Sequence, residues 1–210
     1  QLSAICVQKP RLAFQHAKLA FEAKLMASPI PWTIIRPTAY FKSLSGQLAR
    51  LRAGKPFLMF GDGRLTSTKP ISDNDLARYI AARLNDADAA GRALPIGGPG
   101  PAITPREQGE MFFAALGMRP RFSSVPPAML AVAARALDLA GLVAPALKAK
   151  AEFARIGHYY ATESMLVWDE ASARYDADAT PETGSETLFD FYERLVRGEA
   201  AADLGAHRAF

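Results

Sequence analysis

The sequence predicts an α/β fold: a doubly wound parallel sheet with helices on both faces, joined to a smaller, mainly helical part. Three observations carry this. Short apolar runs alternate with segments of helical period through the first hundred residues. The runs are continuously apolar rather than alternating, as strands covered on both faces are. After Gly97-Gly98-Pro99-Gly100-Pro101 the strand signals thin and alanine-rich helical sequence takes over.

The elements follow in order. Residues 2–7 read as a buried parallel strand bounded by Lys9-Pro10, and residues 11–27 as an amphipathic helix through Leu12, Leu19, Ala23 and Met26. Residues 31–35 are a second strand, broken by Arg36-Pro37-Thr38; residues 39–53 are helical, ending at Gly54. Residues 57–60 are a third strand, closed by Gly61-Asp62-Gly63. Ser72 is placed to cap a helix over 73–84, whose Asp73 and Asp75 suit the positive end of the helix dipole. Residues 93–96 give a fourth strand. Thr104 and Glu107 form a capping box opening a helix to Leu116. A short strand at 121–125, helical sequence over 126–157 with a break near Pro145, and an amphipathic helix over 184–197 complete the chain. The expected division is 1–100 for a nucleotide-binding half, 101–198 for a mainly helical substrate-binding region and 199–210 for a frayed tail.

Composition narrows the function classes. The formal net charge of +4 is scattered, with no basic block or aromatic-interleaved stripe, so no nucleic-acid partner is expected. The single cysteine, Cys6, excludes a disulfide framework and reads as a buried thiol. His16, His158 and His207 have no ligand-like spacing, so no metal site is expected. A chain that opens on Gln1 directly in strand-like sequence, with no charged leader, is expected to be part of a longer protein. The alanine- and arginine-rich composition suggests a bacterial, cytoplasmic setting.

The chemistry-bearing positions each have two readings. Lys18, on the helix after the Ser3 strand, can donate to a ribose hydroxyl; equally it is a solvated lysine one turn from Glu22. Arg36-Pro37-Thr38 leaves a strand at its carboxyl end, where doubly wound sheets bind ligands, yet many strand exits carry proline. Gly97-Gly98-Pro99-Gly100 is not a phosphate loop, because no Lys-Ser/Thr follows and its proline lacks an N–H. No Gly-x-Gly-x-x-Gly follows a strand, so a pyrophosphate site is not expected within this chain. The apolar stretch 125–147 carries Arg135 and Asp138, which argue against a membrane span. A core or lid helix, a wall for a large apolar ligand, or loose membrane-surface contact remain for it. Tyr159 and Tyr160 offer flat faces with polar tips, and Glu163 is an acid or a salt-bridge partner.

Taken together, Ser3, Lys18 and Arg36-Pro37 fall in the order of a short-chain dehydrogenase, with Phe14 standing four residues before the lysine where that superfamily normally has tyrosine. Longer motifs sharpen the likeness: Ser-Ala-Ile-Cys-Val-Gln-Lys-Pro at 3–10, Arg-Pro-Thr-Ala-x-Phe-Lys-Ser-Leu at 36–44, Lys-Pro-Ile-Ser-Asp at 69–73 and Tyr-Tyr-Ala-Thr-Glu-Ser-Met-Leu at 159–166. They resemble the divinyl chlorophyllide 8-vinyl-reductases, in the NmrA-like group of atypical short-chain dehydrogenases. The resemblance implies a Rossmann-like fold whose amino-terminal half is missing here. It implies NADPH as cofactor and a tetrapyrrole substrate whose vinyl group is reduced to ethyl. Reducing a carbon–carbon bond forms no alkoxide, so no tyrosine is required beside Lys18. On this likeness Lys18 and Ser3 are the catalytic candidates; Lys18, Ser3, Pro37 and Thr38 hold the cofactor; Phe14, Phe41, Tyr159, Tyr160 and Glu163 meet the substrate. The alternatives are a related reductase of another hydrophobic substrate, and an NADP-binding sensor or assembly factor without turnover.

Overall fold

The computed structural model describes residues 1–201. In chain order the elements are α1 (Ala13–Met26), β1 (Thr33–Pro37), α2 (Leu48–Arg52), β2 (Phe57–Phe60), α3 (Asp73–Arg83), β3 (Arg92–Ile96), α4 (Pro105–Ala115), β4 (Phe122–Val125), α5 (Ala128–Ala140), α6 (Leu147–Thr162), β5 (Val167–Asp169), β6 (Arg174–Asp176) and α7 (Leu188–Arg197). Helix starts follow local chemistry. The Ser72 hydroxyl accepts from Asp75 N, and the Thr187 hydroxyl from Asp190 N. Thr104 and Glu107 cap each other reciprocally with Pro105 next in line. At the start of α1 the buried Gln15 does this work: its Oε1 accepts from Arg11 N and Leu12 N, and its Nε2 donates to Cys6 O. Gly198, at φ 77°, ends α7 in a left-handed turn.

The sheet that positions the site is parallel and centred on β1. Ile35 N donates to Gln1 O at 2.9 Å and Ser3 N to Ile35 O at 2.7 Å, so residues 1–3 line one edge of β1. β3 lines the other edge, from Thr33 opposite Arg92 to Pro37 opposite Ile96. The main core lies elsewhere, where β2, α2, α4 and α7 meet. Phe57, Phe112, Phe113, Tyr192 and Leu51 are each at most 1% exposed there, and the Phe112 and Tyr192 rings stack at 3.6 Å. Each such side chain contributes about 1.5–3 kcal/mol by leaving water.

Four sequence expectations need correction. Of the expected first strand over 2–7, Leu2 bridges β1 in parallel and the chain stays extended through Ala4; Ile5–Gln8 is a 3-10 turn with Val7 N bonded to Ala4 O. Its apolar run reports burial, with Ile5, Cys6 and Val7 each 2% exposed, and not extension. The expected third strand does not join β1 and β3; it forms a separate parallel pair with β4, registered from Phe57 opposite Phe122 to Phe60 opposite Val125. That pairing crosses the boundary expected near residue 100. The helix over 39–53 is two pieces, a 3-10 turn Lys42–Ser45 and α2. The helix expected to end at 157 runs on to Thr162, and an antiparallel hairpin, β5–β6, follows where no strand was expected. Three-residue strands in polar sequence carry too little alternation to be read. Most of the expected frayed tail, residues 202–210, lies outside the described residues.

Candidate active site

A cavity of about 350 Å³ opens at the carboxyl end of β1, where a parallel sheet presents its loops to ligands. One wall is Pro37, Thr38, Ala39 and Tyr40, leaving β1; another is Ala4, Ile5 and Cys6, leaving the edge segment. Thr66, Ser67 and Thr68 cross beneath β1's exit, and Ile103, Pro105 and Gln108 come from the start of α4. The carboxyl end of α6 supplies Tyr160 and Glu163. The volume lies at the small end for ligand sites.

The frame around the cavity is fixed by close backbone contact. A Cβ on Gly98 would lie 2.0 Å from Pro70 O, and one on Gly97 2.9 Å from Lys69 O, so the β3 exit and residues 69–71 press together as only glycine allows. Lys69 is buried; its Nζ donates to Thr180 O and pairs with Glu182 at 3.2 Å. The Thr38 hydroxyl donates to Lys69 O, so Thr38 can meet a ligand only with its remaining lone pair.

The expected site residues separate into two groups. Pro37, Thr38, Tyr160 and Glu163 line the cavity. Phe41, Tyr159, Ser3, Phe14 and Lys18 are not among its lining residues. Phe41 is 2% exposed and packs on Phe191 at 5.5 Å in the main core, so it meets side chains of α7 and not a ligand here. Tyr159 is buried, with its hydroxyl donating to Cys6 O and Lys9 O, and burial pushes that phenol up to about 12. Phe14 packs against the cluster of Ile5, Cys6, Leu12, Tyr159 and Met165.

Ser3 Oγ is buried without a hydrogen bond of ordinary geometry. It stands beside Glu22, whose burial would raise its carboxyl. Arg36, Ser3 and Lys18 together overcome that and hold it below the usual range. Both Glu22 oxygens are taken by Arg36, at 3.3 and 2.5 Å. Lys18, half-buried one turn earlier, makes no ion pair among the described residues and keeps its ammonium for another partner.

Glu163 is a clamp. It pairs with Lys9 Nζ at 2.8 Å and Arg11 at 2.7 Å, and accepts from the Tyr175 hydroxyl at 2.5 Å. Burial opposes ionisation, but these partners hold the carboxyl below its ordinary value and leave it no proton to give. Lys9 also lies 3.9 Å from the centre of the Trp168 ring, which ties the unexpected hairpin to the site.

Sequence reasoning passed over Tyr40 and Cys6 as site residues. Burial, then Asp73 and Cys6, push the Tyr40 phenol up to about 12. Burial likewise raises the Cys6 thiol against the opposing influence of Gln15, Tyr160 and Lys18. The signal for Tyr40 was present: it lies three residues past Pro37, at the carboxyl end of a parallel strand.

The fold defines the class. Solved structures of similar architecture include an NADPH-dependent quinone oxidoreductase from Escherichia coli, crystallised with NADPH, and leucoanthocyanidin reductase from Vitis vinifera. The first has a TM-score of 0.60 at 18% identity, covering 92% of this chain and 64% of that one. The second has a TM-score of 0.59 at 14% identity, covering 91% and 65%. The chain therefore has a Rossmann-like α/β fold. No family model matches it. Among curated proteins it is 49% identical over 215 aligned residues to divinyl chlorophyllide a 8-vinyl-reductase of Oryza sativa subsp. indica, covering all of this chain and 53% of that protein. It is 49% identical to the protein of the same name from Cucumis sativus, covering 51% of it. The chain spans about half the length of the curated relatives it matches, and across that half the resemblance to divinyl chlorophyllide 8-vinyl-reductases carried by its motifs is borne out.

Proposed function

We propose that this chain is the substrate-side half of an enzyme that reduces the 8-vinyl group of divinyl chlorophyllide to ethyl with NADPH, in chlorophyll or bacteriochlorophyll synthesis. The observation that carries the reading is 49% identity along the whole chain to relatives of that name. The site's chemistry supports it. Bound NADPH supplies the hydride. Lys18, with an uncommitted ammonium, fits the sugar end of such a cofactor, and the buried Ser3 hydroxyl beside Glu22 supports it from behind. Pro37 and the Thr38 lone pair fit its nicotinamide end. The mainly apolar cavity wall of Ile5, Leu44, Ile103 and Met165 suits one edge of a flat macrocycle. In this reading residues 1–100 belong to the nucleotide-binding half and 101–198 to the substrate region.

A peripheral position on a membrane fits the α5–α6 hairpin. Met129, Val132, Leu139, Leu142 and Val143 are 58–91% exposed along α5 and its turn, near Lys148 and Lys150. Among the described residues no helix is long and apolar enough to cross a membrane. Co-flotation with anionic vesicles tests this; protein left wholly in the unbound fraction removes it. The curated relatives are named chloroplastic; for this chain a bacterial cytoplasm remains the setting its composition favours.

The deciding experiment is optical. Protein of the relatives' full length is given NADPH and divinyl chlorophyllide. A Soret shift to shorter wavelength with NADPH consumed supports the reductase. NADPH bound with no shift turns the reading to a sensor, an assembly factor or a reductase of another substrate.

A further inference from the structure

Phe14 removes the phenol that a short-chain dehydrogenase would present beside Lys18, yet a proton must still reach the reduced vinyl group. Three acidic side chains crowd the end of α6. Tyr159 and Tyr160 differ by about 100° around a helix of 3.6 residues per turn, and their surroundings differ accordingly. Tyr159 turns inward at 3% exposure, with its hydroxyl tied to two carbonyls. Glu163 is an anion held by two cations and a tyrosine. Tyr160 is 42% exposed and lines the cavity. Its other neighbour is Cys6, which packs in the same cluster as Phe14 and lies within the electrostatic reach of Lys18.

We propose that Tyr160 is the catalytic acid of this site, a cavity-lining phenol supplied from α6 where α1 carries Phe14 and supplies none. The inference rests on the vinyl-reductase reading. Hydride from the dihydronicotinamide adds to the terminal vinyl carbon, and the electron pair of the double bond moves onto the inner carbon and the macrocycle. The Tyr160 O–H bond then breaks, and its proton bonds to the inner carbon. The vinyl group is reduced to ethyl, the dihydronicotinamide is oxidised, and the phenolate regains a proton from water. Burial and the Cys6 and Tyr159 neighbours raise the Tyr160 phenol, so it is protonated before each cycle.

The test uses protein of the relatives' full length, as wild type, Tyr160→Phe and Tyr40→Phe. Tyr160→Phe is expected to bind NADPH and divinyl chlorophyllide within about twofold of wild type and to lose roughly 10²- to 10⁴-fold in kcat. With ring-labelled tyrosines and divinyl chlorophyllide alone, the resonance missing in Tyr160→Phe is expected to shift in wild type on binding. Unchanged kcat in Tyr160→Phe, a resonance that does not move, or a kcat loss confined to Tyr40→Phe would each overturn the inference while the reductase reading stands. Wild type that binds NADPH and leaves divinyl chlorophyllide unreduced overturns the reductase reading itself.

Discussion

The β1 exit and the α5–α6 hairpin are built on opposite terms. At the β1 exit backbone touches backbone: Gly97 and Gly98 lie against Lys69 and Pro70, and Lys69 and Glu163 are buried with partners. The hairpin packs chiefly on itself and leaves leucine and valine side chains in the open, with Val143 at 91% exposure. The first region holds its buried polar side chains in one geometry. The second offers apolar area without a fixed shape, which suits a large flat ligand or a soft surface.

This contrast predicts a steep gradient in the cost of substitution. Gly98→Ala drives a Cβ into the Pro70 carbonyl and is expected to cost about 4 kcal/mol, in the severe class of single substitutions; a denaturant midpoint on the full-length protein measures it. Glu163→Ala strips the partner from Lys9, Arg11 and Tyr175. The buried side of that cluster suggests about 3 kcal/mol, with the exposed Arg11 contributing little.

Glu163 also gives the pH dependence its sign. Its folded carboxyl lies below the ordinary carboxylate range, so its stabilisation is complete above the ordinary value and is lost as pH falls through the folded one. Glu163→Gln is expected to flatten the acid limb of a stability–pH curve; an unchanged limb would assign the acid sensitivity to Glu22 or elsewhere. Lys18→Ala is expected to leave stability nearly unchanged and to weaken NADPH binding about tenfold, roughly 1.4 kcal/mol, read by calorimetry. Val143→Ser, at the far end of the gradient, is expected to stay within about 0.5 kcal/mol. A larger loss would mean the hairpin is covered in the complete protein.

Much of the architecture was legible because local chemistry fixed it. Ser72, Thr104 with Glu107, and the periodic α7 mark helices whose starts match to within a few residues. Strand membership was not legible, since Phe57–Phe60 reads equally well in either sheet and only its pairing with Phe122–Val125 decides. The 3-10 turn at Ile5–Gln8 was hidden because burial and extension both select apolar residues. Of the site, the Pro37-Thr38 exit and the Tyr160 and Glu163 pair were visible as motifs. The inward turn of Phe41 and Tyr159 was not, because motif neighbours one residue apart point to different faces.

The cavity's frame is fastened by residues late in the chain. Asp75 accepts from Ser185 N and Glu186 N, Gly97 N donates to Pro181 O, and Lys69 reaches Thr180 and Glu182. A polypeptide leaves the ribosome amino end first, so every early strand of this site emerges and waits for residues 180–186 before it can close. Synthesis cut short just upstream of that segment would yield a chain with most of its helices and no finished pocket, and quality control would meet it with Lys69 unpaired and the Asp75 Oδ2 without its two amide donors.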